Sequence, residues 1–237
     1  MNRGPSKMKR ILQPEWLDAL PARDPRAMRS RRDLRRINVW MGNARHVAAR
    51  LEAAIRQAPP ARLVDLGAGD GYFLLRCVRR LPGLGRGLEI VMVDREPAID
   101  EAVLAELRAR GLVPRLVRAD ALDWLAALPD QPGTGVLANL FLHHFTSAQL
   151  ATALAGIARK ADWCCACEPR RNRGALAATR ALWLIGANAV TRHDAPVSVR
   201  AGFRDGELST LWPPGPGWRL DERPAGLFSH VFLAQRS

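Results

Sequence analysis

Arg62-Leu-Val-Asp-Leu-Gly-Ala-Gly-Asp-Gly-Tyr-Phe-Leu-Leu75 is the stretch from which the rest of the chain can be read. Leu63 to Leu66 is a short apolar run of the kind that forms a buried strand. Gly67, Gly69 and Gly71 then interrupt it, and Phe73, Leu74, Cys77 and Val78 resume at helical spacing. Strand, glycine turn and helix make a nucleotide-binding βα unit. Glycines let the chain turn tightly and let a ligand approach bare backbone at a helix N-terminus.

The spacing narrows the ligand. A dinucleotide fingerprint needs G-x-G-x-x-G, and Tyr72 stands where its third glycine would be. Asp65 precedes the turn and Asp70 lies inside it. Carboxylates there repel a pyrophosphate and suit a ligand carrying an amine and a sulfonium. S-adenosylmethionine (SAM) has both.

Outward from this unit, strands and helices alternate. Leu88–Asp94 reads as a strand ending in an acid, and 97–110 as a helix with Pro97 in its first turn and Gly111 after it. Leu112–Arg118 reads as a short strand, placed at an edge by Pro114. A brief helix follows Asp120, and Gly135–Asn139 is a fourth strand. Leu140 to Phe145 leads to a helix opened by a Thr146–Gln149 capping box, and Trp163–Cys167 is a fifth strand followed by Glu168. This alternation predicts a mostly parallel sheet covered on both faces.

The flanks read differently. Residues 1–39 carry Pro5, Pro14, Pro21 and Pro25 and an arginine cluster from Arg23 to Arg36, which predicts a loosely ordered basic arm with at most a short helix near Trp16. From Trp40 through Ile55 an amphipathic helix is expected, opening a single domain over 40–237. After the fifth strand, a helix from Arg173 to Ala189 is apolar nearly all round at Ala181–Gly186, which predicts that this part is buried or lines an apolar pocket. Thr191–Phe203 reads as irregular, 205–212 as a short helix, and 218–235 as a closing hairpin turned at 223–226.

In an open α/β sheet the ligand lies beyond the carboxyl ends of the strands. Those ends carry Asp65, Asp94, Asp120, Asn139 and Glu168. Asp94 is placed to accept from a ribose diol, and Asp120 from an adenine amine. With Val64–Gly71, Asp94, Ala119-Asp120 and Ala138-Asn-Leu-Phe-Leu-His-His144 in view, residues 40–237 resemble the class I SAM-dependent methyltransferases, in their small-molecule, ubiquinone/menaquinone-type branch. The resemblance implies a doubly wound, Rossmann-like seven-stranded sheet with an antiparallel last strand. It implies SAM as cofactor, held by Asp65, Gly67, Ala68, Gly69, Asp94, Arg95, Asp120, Ala121 and Asn139. It also implies methyl transfer to a small-molecule acceptor, with O-methylation of an aromatic or lipid-like compound the expected chemistry.

A hydroxyl acceptor profits from a base. His143 and His144, just past the fourth strand, and His193 beside Asp194 are the candidates. One pocket is therefore expected, lined by Asn139, His143 or His144, Trp183, His193 and Phe203 and opening onto the glycine turn. The fourth strand lacks the Asn/Asp-Pro-Pro-aromatic motif of base N-methylating enzymes. No metal site is expected, because Cys164, Cys165 and Cys167 have no matching second pair.

The net charge is +13, and only three of the cations are lysines. Such a surface attracts nucleic acid, anionic membrane or an anionic substrate. An RNA or protein methyltransferase using the arm, and a SAM-binding protein without catalysis, are the alternatives. Neither a membrane span nor a signal-peptide core is found, so a cytoplasmic location is expected. Oligomeric state stays open.

Overall fold

The computed structural model describes residues 8–129 and 132–237; the first seven residues of the expected arm lie outside them. Strands β1 (Arg62–Leu66), β2 (Glu89–Asp94), β3 (Val113–Arg118), β4 (Thr134–Asn139), β5 (Trp163–Pro169), β6 (Trp218–Ala225) and β7 (Ser229–Arg236) form one seven-stranded sheet in the order β3-β2-β1-β4-β5-β7-β6. The first five pair in parallel, and β7 enters antiparallel between β5 and β6. This is the expected doubly wound sheet.

Burial follows position. β4 and β5 are covered on both faces and read as near-continuous apolar runs, apart from Thr134 at the start of β4 and Asn139 and Glu168 at the carboxyl ends. β3 is an edge strand and tolerates Pro114, since an edge does not need every backbone donor. One core layer packs α2 (Asn43–Gln57), α3 (Tyr72–Val78) and α4 (Glu101–Ala109) on the sheet. The other packs α5 (Ala121–Ala127), α6 (Ser147–Lys160) and the short α9 (Glu207–Leu211) on the opposite face. The Thr146–Gln149 capping box opens α6 as expected.

Three expectations fail for identifiable reasons. Residues 25–41 are not a loose arm: Pro25–Met41 is a 17-residue helix, α1, capped by the Asp24 side chain on Arg26 N–H and starting on Pro25. Gly42 (φ 70°) ends α1 and separates it from α2, so Trp40 and Met41 belong to the first helix. The expected boundary at residue 40 therefore falls inside a helix. α4 starts at Glu101 rather than Pro97, because Asp100 supplies its cap.

The segment after β5 departs furthest. α7 (Arg173–Ala178) passes into a 3-10 turn over Thr179–Ile185 and stops at Gly186. Trp183, Leu184 and Ile185 of that turn are 62%, 66% and 59% exposed, so this stretch is not buried. Against the irregular course expected for Thr191–Phe203, Ala189–Ala201 is helix α8, started by the Asn188 side chain accepting from Thr191 N–H. The closing hairpin turns at 226–228, not 223–226.

α1 docks on α8 through buried polar pairs. Ser30 Oγ lies 2.9 Å from Thr191 Oγ1, and Asp33 Oδ2 accepts from Asn188 N at 2.9 Å and Thr191 Oγ1 at 3.2 Å. The helix thus spans the carboxyl edge of the sheet, and a cavity of about 1150 Å³ lies between them.

Candidate active site

At one end of the cavity is the glycine turn. Gly67, Gly69 and Gly71 all have left-handed backbones (φ 68°, 56° and 74°), which strain an L side chain. A Cβ on Gly67 would also lie 2.2 Å from the Phe141 ring. Asp94 fixes the turn from β2: its Oδ2 accepts from Gly69 N at 2.8 Å and its Oδ1 from Glu96 N at 2.9 Å. From α1, Arg35 donates to Asp70 Oδ2 at 3.1 and 2.9 Å, with its guanidinium 3.3 Å from the Tyr72 ring centroid.

Asp65 is different. It lines the cavity, is 3% exposed and has no hydrogen-bond partner among the described residues. Burial first, then the charges of Asp94 and Asp70, push its carboxyl up to about 8. A buried, unpartnered carboxyl open to a cavity suits a cationic group, which would restore its ionised form. The residues at this end therefore fit a ligand with an ammonium group.

Asp120 caps α5, its Oδ1 accepting from Leu122 N at 2.8 Å, while Arg95 Nε donates to its Oδ2 at 2.9 Å. Ala68 and Ala121 line the same cavity. Asn139 joins an amide cluster missed in the sequence: Asn43 Nδ2 donates to Asn38 Oδ1 at 2.7 Å and Asn139 Nδ2 to the same oxygen at 3.3 Å. All nine expected cofactor residues thus gather along one wall.

At the other end stands His143, 2% exposed. Its Nδ1 is 2.8 Å from Glu168 Oε2, and its Nε2 is 3.3 Å from Glu15 Oε1. Glu168 is fully buried and is itself anchored, Oε1 accepting from Phe141 N at 3.1 Å and Leu142 N at 2.9 Å. The segment that presents these donors starts with Leu140 at φ 52°, an uncommon conformation for a branched side chain. Burial pulls the His143 pKa down, but the hydrogen bonds and charges of Glu15 and Glu168 outweigh it and hold the imidazole at about 9. His144 also lines the cavity, its Nδ1 3.2 Å from Asp18 Oδ2.

Glu15 arrives from the N-terminal segment, whose attachment the sequence did not disclose. Arg10 donates to the carbonyls of Ala201 (2.7 Å), His143 (3.0 Å) and Phe145 (2.8 Å). Trp16 N and Leu17 N donate to Asp194 Oδ1 and Oδ2 at 2.9 and 3.0 Å. Glu15 also accepts from Ser198 Oγ of α8. Residues 10–17 thus form a wall of the cavity beside His143.

His193, Trp183 and Phe203 are not part of the cavity lining. Because 189–201 is helical, Ala195, Ser198 and Val199 face the cavity at helical spacing. His193 stacks on Trp16 instead, with ring centroids 3.8 Å apart, and its Nδ1 lies 2.7 Å from Asp194 Oδ1. Phe203 is buried beneath the Arg10 guanidinium, and Trp183 points to solvent. The expected pocket is real in its Asn139, His143 and His144 parts and wrong in these three.

The cysteines are free and buried, and burial raises the pKa of every thiol, which suits packing rather than nucleophilic chemistry. Glu15, His143 and His144 each bring a possible ligand atom within 4.8 Å of the others, so this group is the one place among the described residues where a metal could be gathered.

No protein-family model matches the chain, and no curated protein matches it. Solved structures do. An O-methyltransferase family protein from Burkholderia thailandensis superposes with a TM-score of 0.58 at 21% identity, covering 91% of this chain and 61% of that one. The chain has the class I methyltransferase fold. Mitomycin 7-O-methyltransferase gives 0.57 at 20% identity, over 93% of this chain and 60% of that one. Human N-acetylserotonin methyltransferase, solved in complex with SAM, gives 0.54 at 17%, over 93% and 61%. The chain therefore spans about three-fifths of the length of these methyltransferases.

Proposed function

We propose that the chain is a SAM-dependent methyltransferase acting on a hydroxyl group of an aromatic or lipid-like small molecule, in the ubiquinone/menaquinone-type branch that its motifs resemble. One observation carries the reading: a single cavity joins the unpartnered carboxyl of Asp65 to the buried His143, held between two carboxylates. The cavity exceeds the roughly 300–1,000 Å³ usual for one ligand, so cofactor and acceptor have room together.

SAM, when bound, supplies an electrophilic methyl group that needs little further activation. Asp65 would face its ammonium, Gly67, Ala68 and Gly69 its methionine part, and Asp94 its ribose. Arg95, Asp120 and Ala121 would border the adenine, and Asn139 the reacting centre. The protein's task is then alignment, exclusion of water and removal of a proton.

His143 would accept the hydroxyl proton at Nε2. Glu168 would accept from His143 Nδ1–H on the opposite edge, fix the tautomer and stabilise the imidazolium that forms. Glu15 occupies the Nε2 side in this structure, so it would yield its place to the acceptor hydroxyl. Residues 8–39 would act as a cover, with Arg10 and Trp16 holding Glu15 in register.

Mass spectrometry of the purified protein for retained SAM or its demethylated product tests the cofactor. Turnover of isotopically labelled SAM against a panel of phenols and hydroxyquinones tests the reaction. SAM binding without transfer to any member would favour a binding protein, and transfer only to RNA or protein would overturn the acceptor class.

A further inference from the structure

We propose that the face around the cavity mouth docks on an anionic lipid bilayer. The inference rests on the surface alone, whatever reaction the cavity serves. Among the described residues, Trp183, Leu184 and Ile185 form an apolar knob at the end of the 3-10 turn, each about three-fifths exposed. Leu184 and Ile185 also line the cavity, so the knob sits at its entrance. Leaving three such side chains exposed to water is unfavourable unless something apolar receives them.

α1 forms the opposite lip. Arg29 Nη2 donates to Gly186 O at 3.3 Å and Asn188 Nδ2 to Arg26 O at 2.8 Å, which pins the knob to the start of α1. At the other end of α1, Trp40 is 72% exposed, lines the cavity and packs against Phe228 with centroids 4.9 Å apart. Met28 and Val39 are exposed on the same helix.

Charge identifies the occupant. The only acid in α1 is Asp33, which is buried against α8, and residues 169–193 contain no Asp or Glu at all. The exposed polar groups flanking the knob are therefore arginines: Arg29, Arg32, Arg173 and Arg180. Arg32 has no ion-pair partner among the described residues. Tryptophan and aliphatic side chains flanked by arginines, with Asp24 at the start of α1 already paired to Arg26, match the two layers of an anionic membrane surface: acyl boundary for the knob and phosphate headgroups for the cations. A second copy of the chain would bring like charges together around the same knob, and nucleic acid would leave the aliphatic side chains exposed. No helix among the described residues is long and apolar enough to span a membrane, so contact would be made at the surface. The cavity would then open toward the bilayer.

The test is co-sedimentation of the full chain with phosphatidylcholine vesicles, with and without phosphatidylglycerol. Binding is expected only with phosphatidylglycerol, and weaker at ~1 M than at ~0.15 M salt. Trp183→Ser, and separately the triple variant Arg29→Glu, Arg32→Glu, Arg180→Glu, are each expected to weaken it about tenfold or more while melting normally. None of these four residues lines the cavity. Failure to bind phosphatidylglycerol vesicles would overturn the proposal. So would a wild-type dimer that Trp183→Ser converts to monomer, or RNA binding lost in the arginine variant without any vesicle binding. Labelled-SAM turnover is not used, so a failed vesicle assay and a failed methyl-transfer reading are separate results.

Discussion

His143 Nδ1 lies 2.8 Å from Glu168 Oε2, a fully buried carboxylate that also holds the backbone donors of Phe141 and Leu142. The histidine is thus fixed by the end of the neighbouring strand, and the strand end by the backbone that carries the histidine. His143→Ala is expected to lower kcat roughly 10²-fold or more with SAM affinity nearly unchanged. Glu168→Gln should also reduce kcat, because an amide nitrogen would face donors where an oxygen now accepts. Rates within a factor of two of wild type in both variants would reduce the pair to packing.

The rate should depend on pH through the same residue. A base works as neutral imidazole, and His143 titrates at about 9, so kcat should rise as pH approaches that value. Glu15→Gln removes one of the two carboxylates that raise it, and the rising limb should move to lower pH. A limb that ignores the substitution would belong to the acceptor's own ionisation. The same shift bears on stability. The folded pKa is raised above the ordinary 6.5, so this contribution is complete below about 6.5 and is lost as pH rises through about 9. Melting temperatures of wild type and Glu15→Gln across that window measure it.

What was legible in the sequence was local. The glycine turn, the acids at strand ends and the Thr146–Gln149 cap lie within a few residues of the elements that use them. The cover was not legible, since Glu15 reaches His143 across 128 positions and no periodicity announces that contact. α8 was missed although Asn188 is an ordinary cap, because Arg192-His193-Asp194 and Pro196 read as loop chemistry. The apolar run at Ala181–Gly186 predicts burial or a pocket lining; burial fails, but Ala181, Leu182, Leu184 and Ile185 do line the cavity, at its mouth.

Cofactor binding should release a proton near neutral pH. Asp65 titrates at about 8 without a partner, so most of it is protonated at pH 7, and a cationic ammonium would favour the carboxylate. Calorimetry of SAM binding in buffers of different ionisation enthalpy should report release of up to about one proton. The release should vanish in Asp65→Asn. Proton uptake, or no linkage, would place the ammonium elsewhere.

Chelation distinguishes the two uses of the Glu15–His143–His144 group. As a proton acceptor His143 needs Nε2 free of metal, so EDTA treatment should leave turnover unchanged. Loss of turnover restored by a divalent cation would make the three side chains ligands and remove His143 as the base.

The nucleotide end can be tested against its nearest rival. Asp94 already accepts from Gly69 N and Glu96 N with one oxygen each, and each carboxylate oxygen retains capacity for a ribose hydroxyl. Asp94→Ala would remove both the ribose acceptor and the tie that shapes the turn, and should weaken SAM binding by about 1–3 kcal/mol. NAD should bind poorly to the wild type. Its pyrophosphate would meet Asp65 and Asp70 at a turn where Tyr72 replaces the third glycine of the dinucleotide pattern. Titration calorimetry with both ligands decides it: tight NAD binding with no heat from SAM would overturn the assignment of this turn, and with it the roles given to Asp65 and Asp94.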